Sequence, residues 1–435
     1  MVPTAPPAPD VAVGVTASLR AQLRDPLSLN VYALTVNTVV SSVLGIGYWV
    51  LAARLYAPRE LGAGAAAVAT MTFLSSLSQL NLNGALARFL PAAGATAGRL
   101  IGTAYLASCA AALLIGSAFL IIAPAVTGRS SPLSPGLPMA VVFVLSVAAW
   151  SVFTLQDSVL TALRGAVWVP VENAAFGVAK IALLVLLASA VPGHGIFASW
   201  TVPVMLSLAP VNLVVFRRLL PRLRARLATA TLPARSVVLR FITLDYIGYL
   251  FLQVHTNALP VLVTAALGAE ANAVFYVGWL LGSSVELVAY HFGTSLTVES
   301  AADESRLARY GRQVLGRGLA VFVPGALLLY LCAPLLLALF GTRYADASGA
   351  VLRLFALAVV PKFVVTVYVA ISRVQRKVGR IVLVQSATAA VVLSLALLTM
   401  PAWGVTGVAA AYLTAQLAVG AAILPGLARV LRSER

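Results

Sequence analysis

Four ionisable side chains lie deep inside long apolar stretches of this sequence: Lys180, His255, Glu286 and Lys362. A charge near the centre of a bilayer costs at least about 2.5–3.5 kcal/mol on insertion scales, so each needs a partner or a task. A lysine ammonium is a compact point charge, suited to holding an anion that must later be let go. Glutamate and histidine are the groups from which intramembrane proton relays are built, and histidine titrates near neutral pH. Each charge also has a structural reading. Lys180 would pair with Asp157 or Glu172, and Lys362 with Glu286, to neutralise buried charge and nothing more. Nucleophile and metal chemistry have little to work with: there are three histidines and two cysteines, Cys109 and Cys332 both sit in apolar runs, and no Cys–His cluster occurs. An enzyme is not expected.

The elements that position these charges follow from composition. The chain has 435 residues, 61% hydrophobic and 10% charged, with a mean hydropathy of +0.97. A soluble domain carries about 25% charged residues, so a soluble enzyme, a disordered chain and a coiled coil are excluded. The sequence predicts an all-α integral membrane protein with twelve transmembrane helices near 29–53, 61–86, 98–124, 137–160, 170–190, 193–217, 240–264, 271–297, 314–340, 348–372, 379–400 and 403–429. Counting along these spans puts the four charges near mid-depth. Residues 1–28, Pro-rich at the start, read as a disordered cytoplasmic arm, and the first apolar run is too late and too long for a signal peptide.

The net charge of +17 is a matter of topology. Most Lys and Arg residues fall on one side of the predicted spans, including the run Arg217–Arg240. Arg54, Arg59, Arg129 and Arg343 fall on the other. This bias places both termini in the cytoplasm. No nucleic-acid partner is called for. The basic run at 217–240, with Leu219, Leu220, Leu223 and Leu227 interleaved, suits anionic lipids at the inner leaflet. The polar gap divides the chain into a six-helix lobe at 29–217, a basic linker at 218–239, a second six-helix lobe at 240–429 and a tail at 430–435. At an offset of about 210, "LAARLYAPRELGAG" from Leu51 faces "LVTAALGAEANAVF" from Leu262, "IIAPAVTG" faces "LCAPLLLALFG", and "VPGHGIFASW" faces "MPAWGVTGVAAAY". Six spans per repeat gives the halves the same orientation, related by a pseudo-two-fold along the membrane normal with a cleft between them.

The stretch from Val36 to Pro91 resembles the opening of bacterial polysaccharide flippases, the O-antigen and other lipid-linked oligosaccharide exporters of the MATE-like (MOP) superfamily. The residues that carry it are the turn Leu51-Ala-Ala-Arg54-Leu-Tyr-Ala-Pro58-Arg-Glu-Leu-Gly62, the run Asn83-Gly-Ala-Leu-Ala-Arg88-Phe-Leu-Pro91, and Gly404-Val-Thr-Gly407-Val-Ala-Ala-Ala411 near the last helix. The sequence departs from the family at helices seven and eight, where Gln253–Asn257 and Thr297–Glu299 replace an expected Asp and Pro. The resemblance implies a carried polyprenyl-phosphate-linked oligosaccharide and alternating access of two lobes, without a cofactor beyond coupling to H+ or Na+. It makes Lys180, Lys362, Asn37 and Asn257 candidates for the central cleft, the amines for phosphate and the amides for sugar hydroxyls. His255, Glu286 and Asp245 become candidates for ion coupling, and Arg54 and Arg88 for a gate or a membrane face. Arg54 has the simpler reading of a pair with Glu60, and the amides that of interhelical hydrogen bonds. Polysaccharide-assembly proteins are the implied partners. The rival readings are a cation-coupled multidrug exporter of the same fold, a membrane-embedded glycosyltransferase or polymerase, and a scaffold that has lost transport.

Overall fold

The computed structural model describes residues 26–127, 136–191, 193–226, 235–302 and 306–432. Most of the expected arm at 1–28, the centre of the 218–239 linker and the last residues of the 430–435 tail lie outside the described residues. Among those described there is no strand. The chain runs as α1 (Pro26–Leu55), α2 (Pro58–Ser78), α3 (Ala97–Thr127), α4 (Gly136–Ala162), α5 (Trp168–Ala190) and α6 (Gly195–Val214). Then follow α7 (Arg235–Leu267), α8 (Ala269–Ala302), α9 (Leu307–Leu331) and α10 (Gly349–Val374). The last long element, Val378–Arg432, turns at Gly404, whose φ of 56° and ψ of −138° are not helical, so it comprises α11 (378–403) and α12 (405–432).

Ten helices among the described residues are long and apolar enough to cross a bilayer, with Val378–Arg432 taken as one. The turn at Gly404 makes two of it, and α7 adds a shorter apolar stretch at Thr256–Leu267. This is the fold of a multi-pass membrane protein.

Local chemistry explains the boundaries. Pro58 sits at the start of α2, where its missing N–H costs nothing, and the Glu60 carboxylate accepts the Ala57 N–H at 3.0 Å. α2 ends earlier than the hydrophobic pattern predicts. Leu80 and Asn81 take left-handed φ values of 49° and 56°, and a separate short helix, Leu82–Phe89, carries Arg88. The predicted ninth span likewise breaks at Cys332, after which the short helices Ala333–Ala338 and Thr342–Ala347 lead into α10. α6 contains Pro203 and Pro210, passes through a π turn at Val215–Leu219, and continues as Leu220–Arg226. Pro inside a helix removes a backbone bond, and neighbouring helices make that tolerable within a membrane.

The two halves repeat one packing scheme. α1 packs on α5, α2 on α4 and α3 on α4; α7 packs on the 378–432 pair, α8 on α10 and α9 on α10. The turns after α4 and α10 share a geometry as well. Arg164 and Arg376 adopt φ values of 59° and 54°, and the next residue closes a six-residue loop: Gly165 N–H to Leu160 O at 2.7 Å, Lys377 N–H to Ser372 O at 2.9 Å. These are paired Schellman caps. The halves meet chiefly along α2, which packs against both α7 and α8, whereas α1 touches α8 sparsely. At the end of the bundle bearing Arg54, Gly62 lies so close to α8 that a Cβ there would sit 1.6 Å from Ala269 O, and Asn272 Nδ2 donates to Gly62 O at 2.9 Å. At the opposite, Arg-rich end, the Tyr246 hydroxyl donates to Leu77 O at 2.7 Å.

Candidate functional site

Lys180 projects from the middle of α5 into a cage of aromatic rings. Its Nζ lies 4.2 Å from the Trp200 ring centroid on α6, 4.9 Å from Phe176 one turn back on α5, and 5.1 Å from Tyr48 on α1. The residue is 6% exposed. The expected pairing with Asp157 or Glu172 is not what holds it: among the described residues its partners are the three rings. The rings are themselves anchored. Tyr48 Oη bonds Ser199 Oγ at 2.7 Å and donates to Ile196 O at 3.1 Å. Trp49 packs, with tilted rings, between Trp200, at 6.2 Å, and Tyr276 of α8, at 4.6 Å, so the aromatic cluster reaches the other half of the molecule. Trp200 Nε1 is buried beside the Tyr48 hydroxyl. The arrangement thus presents an ammonium among ring faces, with no carboxylate against it. Each cation–π contact stabilises by roughly 0.5–2 kcal/mol.

In the second half, Glu286 of α8 is half-buried and accepts a hydrogen bond from the Tyr412 hydroxyl of α12. Tyr412 is packed by Trp279 and Phe355, with ring centroids at 5.5 and 5.3 Å. One turn further, Gln416 is fully buried beside the Tyr412 hydroxyl. Glu286 is therefore engaged with Tyr412. Lys362 is half-buried on α10 next to Pro361, and its carbonyl accepts the Thr366 hydroxyl at 3.0 Å. Asn257 is half-buried on α7. The side chains of Asp245 and His255, also on α7, lie outside the described residues. In α1, Asn37 accepts from Ser41 Oγ at 3.4 Å within its own helix.

Arg54 does not pair with Glu60, which is occupied as the α2 cap. Its Nε donates to Leu339 O at 2.8 Å, tying the end of α1 to the segment after Ala333–Ala338 in the other half. Near it, Arg343 and Glu270 form an exposed ion pair. Arg88 is exposed, with its guanidinium 5.6 Å from the Phe89 ring. Of the run 217–240, Arg217, Arg218, Arg222 and Arg224 are described and exposed.

Sequence reasoning picked out Lys180 and Glu286 but not the aromatic groups that receive them. It also missed a polar ladder in the first half. Ser151 Oγ bonds Ser75 Oγ at 3.1 Å, Asn83 Nδ2 donates to Gln79 Oε1 at 2.6 Å, and Ser158 Oγ donates to Asn83 Oδ1 at 3.0 Å. The i, i+4 spacing of Ser75, Gln79 and Asn83 was its available signal.

No protein-family model matches the chain, and no curated protein is similar to it in sequence. Solved structures are similar in fold. An inward-facing multidrug resistance MATE family transporter of the MOP superfamily aligns over 92% of this chain and 98% of its own, with TM-score 0.65 and 14% identity. The lipid II flippase MurJ in an inward closed conformation aligns over 91% and 89%, with TM-score 0.67 and 12% identity. A MOP superfamily transporter from Pyrococcus furiosus, whose binding pocket is of reverse polarity, aligns over 94% and 97%, with TM-score 0.61 and 14% identity. At such identities the likeness is one of architecture, and the chain has the all-α, two-lobed MATE-like fold that these proteins share.

Proposed function

We propose that this protein is a flippase that moves a lipid-linked oligosaccharide from the inner to the outer leaflet of a bacterial cytoplasmic membrane for polysaccharide biosynthesis, with both termini cytoplasmic. The observation that carries the reading is the charge at Lys180: a buried ammonium held among ring faces, with no carboxylate beside it. Such a site repels an organic cation and receives a phosphate or diphosphate. Aromatic faces around it suit sugar rings, which present C–H groups to the π surface. Lys362, at mid-span on α10, is the second amine offered to the headgroup, and Asn37 and Asn257 are amides for sugar hydroxyls. In this reading the polyprenol tail stays in lipid, in a gap between the lobes. The two lobes would rock about the cleft, with Arg54 and Arg88 near its two ends. H+ or Na+ coupling at Asp245, His255 or Glu286, anionic lipid at 217–240 and assembly proteins as partners complete the proposal. No covalent step is involved.

A second reading, a cation-coupled multidrug exporter, is favoured by Glu286, an acid set beside Tyr412 and the Trp279 ring in the second half. Reconstitution separates the two. Proteoliposomes carrying a polyprenyl-diphosphate oligosaccharide are expected to show transbilayer movement that collapses in Lys180→Ala/Lys362→Ala at matched protein content. Efflux of a cationic dye, with no lipid movement, would establish the second reading instead.

A further inference from the structure

The half of α4 nearer the Arg-rich end carries a polar strip that the amine site does not use. From Ser151 to Ala162, the residues that are not buried are Thr154, Asp157, Ser158 and Thr161, each half-buried. Their i, i+3, i+4, i+7 spacing puts them on one face of the helix. A face whose every accessible residue is polar is not turned to hydrocarbon, so within the membrane it borders an aqueous space. Toward the other end of α4 the exposed residues are Val141, Val142 and Leu145, which suit lipid. The strip is bordered by Asn83, on the short helix Leu82–Phe89, and by Asn173 of α5.

The hydroxyl protons of the strip are all committed to the protein. Thr154 Oγ1 donates to Ser151 O at 3.0 Å, Ser158 Oγ to Asn83 Oδ1 at 3.0 Å, and Thr161 Oγ1 to Asp157 O at 2.8 Å. A hydroxyl has one proton and two lone pairs, so each of these oxygens meets a visitor as an acceptor. The Asp157 carboxylate accepts from Asn173 Nδ2 at 3.3 and 3.4 Å, and a carboxylate keeps lone pairs for about two further donors. The strip is therefore rich in acceptors. Lys180, a donor, lies seven residues beyond Asn173 on nearly the same face of α5, a rise of about 10 Å. A phosphate only accepts hydrogen bonds, so it suits the amine and is refused by the strip. Sugar hydroxyls have protons to give, so they suit the strip. Donor and acceptors at these two levels match a glycosyl phosphate laid along the helix. We propose that Thr154, Asp157, Ser158 and Thr161, bordered by Asn83 and Asn173, form a sugar-hydroxyl subsite that selects the headgroup while Lys180 takes its phosphate. The proposal rests on the flippase reading above and adds to it the place where sugars are told apart.

The test titrates the purified full-length protein with bare polyprenyl diphosphate and with the same lipid carrying one of several hexoses or N-acetylhexosamines. Native mass spectrometry reads the bound lipid. At least one sugar is expected to raise affinity roughly tenfold or more over the bare lipid. Ser158→Ala/Thr161→Val, which removes two acceptors, should lose that advantage and bind the glycosylated lipid no better than the bare one. Lys180→Ala should weaken both lipids by the same factor. Equal binding of bare and glycosylated lipids, still lost in Lys180→Ala, overturns the subsite and leaves the flippase. Binding of neither lipid overturns the flippase reading and the subsite with it. Binding of a cationic dye that Asp157→Asn abolishes would make the strip a cation site instead. Should the double variant not fold, labelling decides. Ser158→Cys, with Cys109 and Cys332 replaced by Ala, is expected to react with a small polar maleimide, and the glycosylated lipid should slow the reaction roughly tenfold more than the bare lipid does. A cysteine that stays unreactive, or equal protection by the two lipids, would remove the subsite.

Discussion

Lys180 is a costly residue where it stands. Its depth carries an insertion cost of about 2.5–3.5 kcal/mol, and three ring contacts at roughly 0.5–2 kcal/mol each bring it close to balance. A residue that only just balances is not there for stability. Lys180→Met is therefore expected to melt at the same temperature as wild type or higher, while transport falls tenfold or more. Thermal unfolding followed by thiol-reactive dye, alongside the proteoliposome assay, reads both quantities. A variant that melts several degrees lower and transports normally would make Lys180 a structural charge. At Glu286 the expectation has the opposite sign. Tyr412→Phe strips a hydrogen bond from a half-buried carboxylate and should cost about 1–3 kcal/mol in the same melting assay. The position of both charges along their helices was legible in the sequence, because it is a count along an apolar run. Their partners were not. Trp200 is on the next helix and Tyr412 is 126 residues from Glu286, and nothing in a single sequence says which faces of two helices meet. The same gap explains why the sequence pairs Lys180 with Asp157 or Glu172: those acids share its lobe, but Asn173 takes Asp157 and the aromatic cage takes the lysine.

Helices were legible where hydrophobic length defines them, and less so where a break is a matter of backbone conformation. The runs that became α3, α4, α5 and α10 start and stop within a few residues of their predicted limits. The break after Ser78 was hidden because Leu80, an ordinary helix former, adopts a left-handed φ of 49° there, with Asn81 beside it. The turn at Gly404 was readable as a gap between two runs, and its geometry explains the residue. A φ of 56° with ψ of −138° is open to glycine and strained for any other residue, although the space beside its Cα is empty. Gly404→Ala should thus destabilise by about 1–3 kcal/mol through the backbone alone. Gly325→Ala in α9, also facing open space but with helical backbone, should leave the melting temperature unchanged or slightly raised. Equal losses at both positions would remove the conformational account of the α11–α12 turn.

At the scale of the molecule, the proposed rocking of the two lobes turns on the contact of α2 with α8. Gly62 and Asn272 are 210 residues apart, the same spacing that relates the repeated segments, so near-equivalent positions of the two halves touch across the pseudo-two-fold. Symmetry makes such a crossing a natural pivot or gate, because each half meets its own counterpart there. The contact leaves no room for a side chain, since a Cβ on Gly62 would overlap Ala269 O and crowd Ala273 N, at 2.9 Å. Backbone atoms cannot rotate away, so Gly62→Leu must part α2 from α8 at the Arg54 end, where Arg54 and Leu339 also join the halves. If that parting is part of the working cycle, the variant folds and its population shifts toward the state open at this end. Val277, 2% exposed on α8, reports on it once Cys109 and Cys332 have been replaced. Reaction of Val277→Cys with a polar maleimide should quicken roughly tenfold in the Gly62→Leu background, a shift of about 1.4 kcal/mol in the open–closed equilibrium. Loosening the opposite end by Tyr246→Phe, which releases Leu77 O, should slow the same reaction by favouring closure at the Arg54 end. A rate at Val277→Cys that ignores both substitutions, in proteins that remain folded, would mean that the two ends are not coupled through α2.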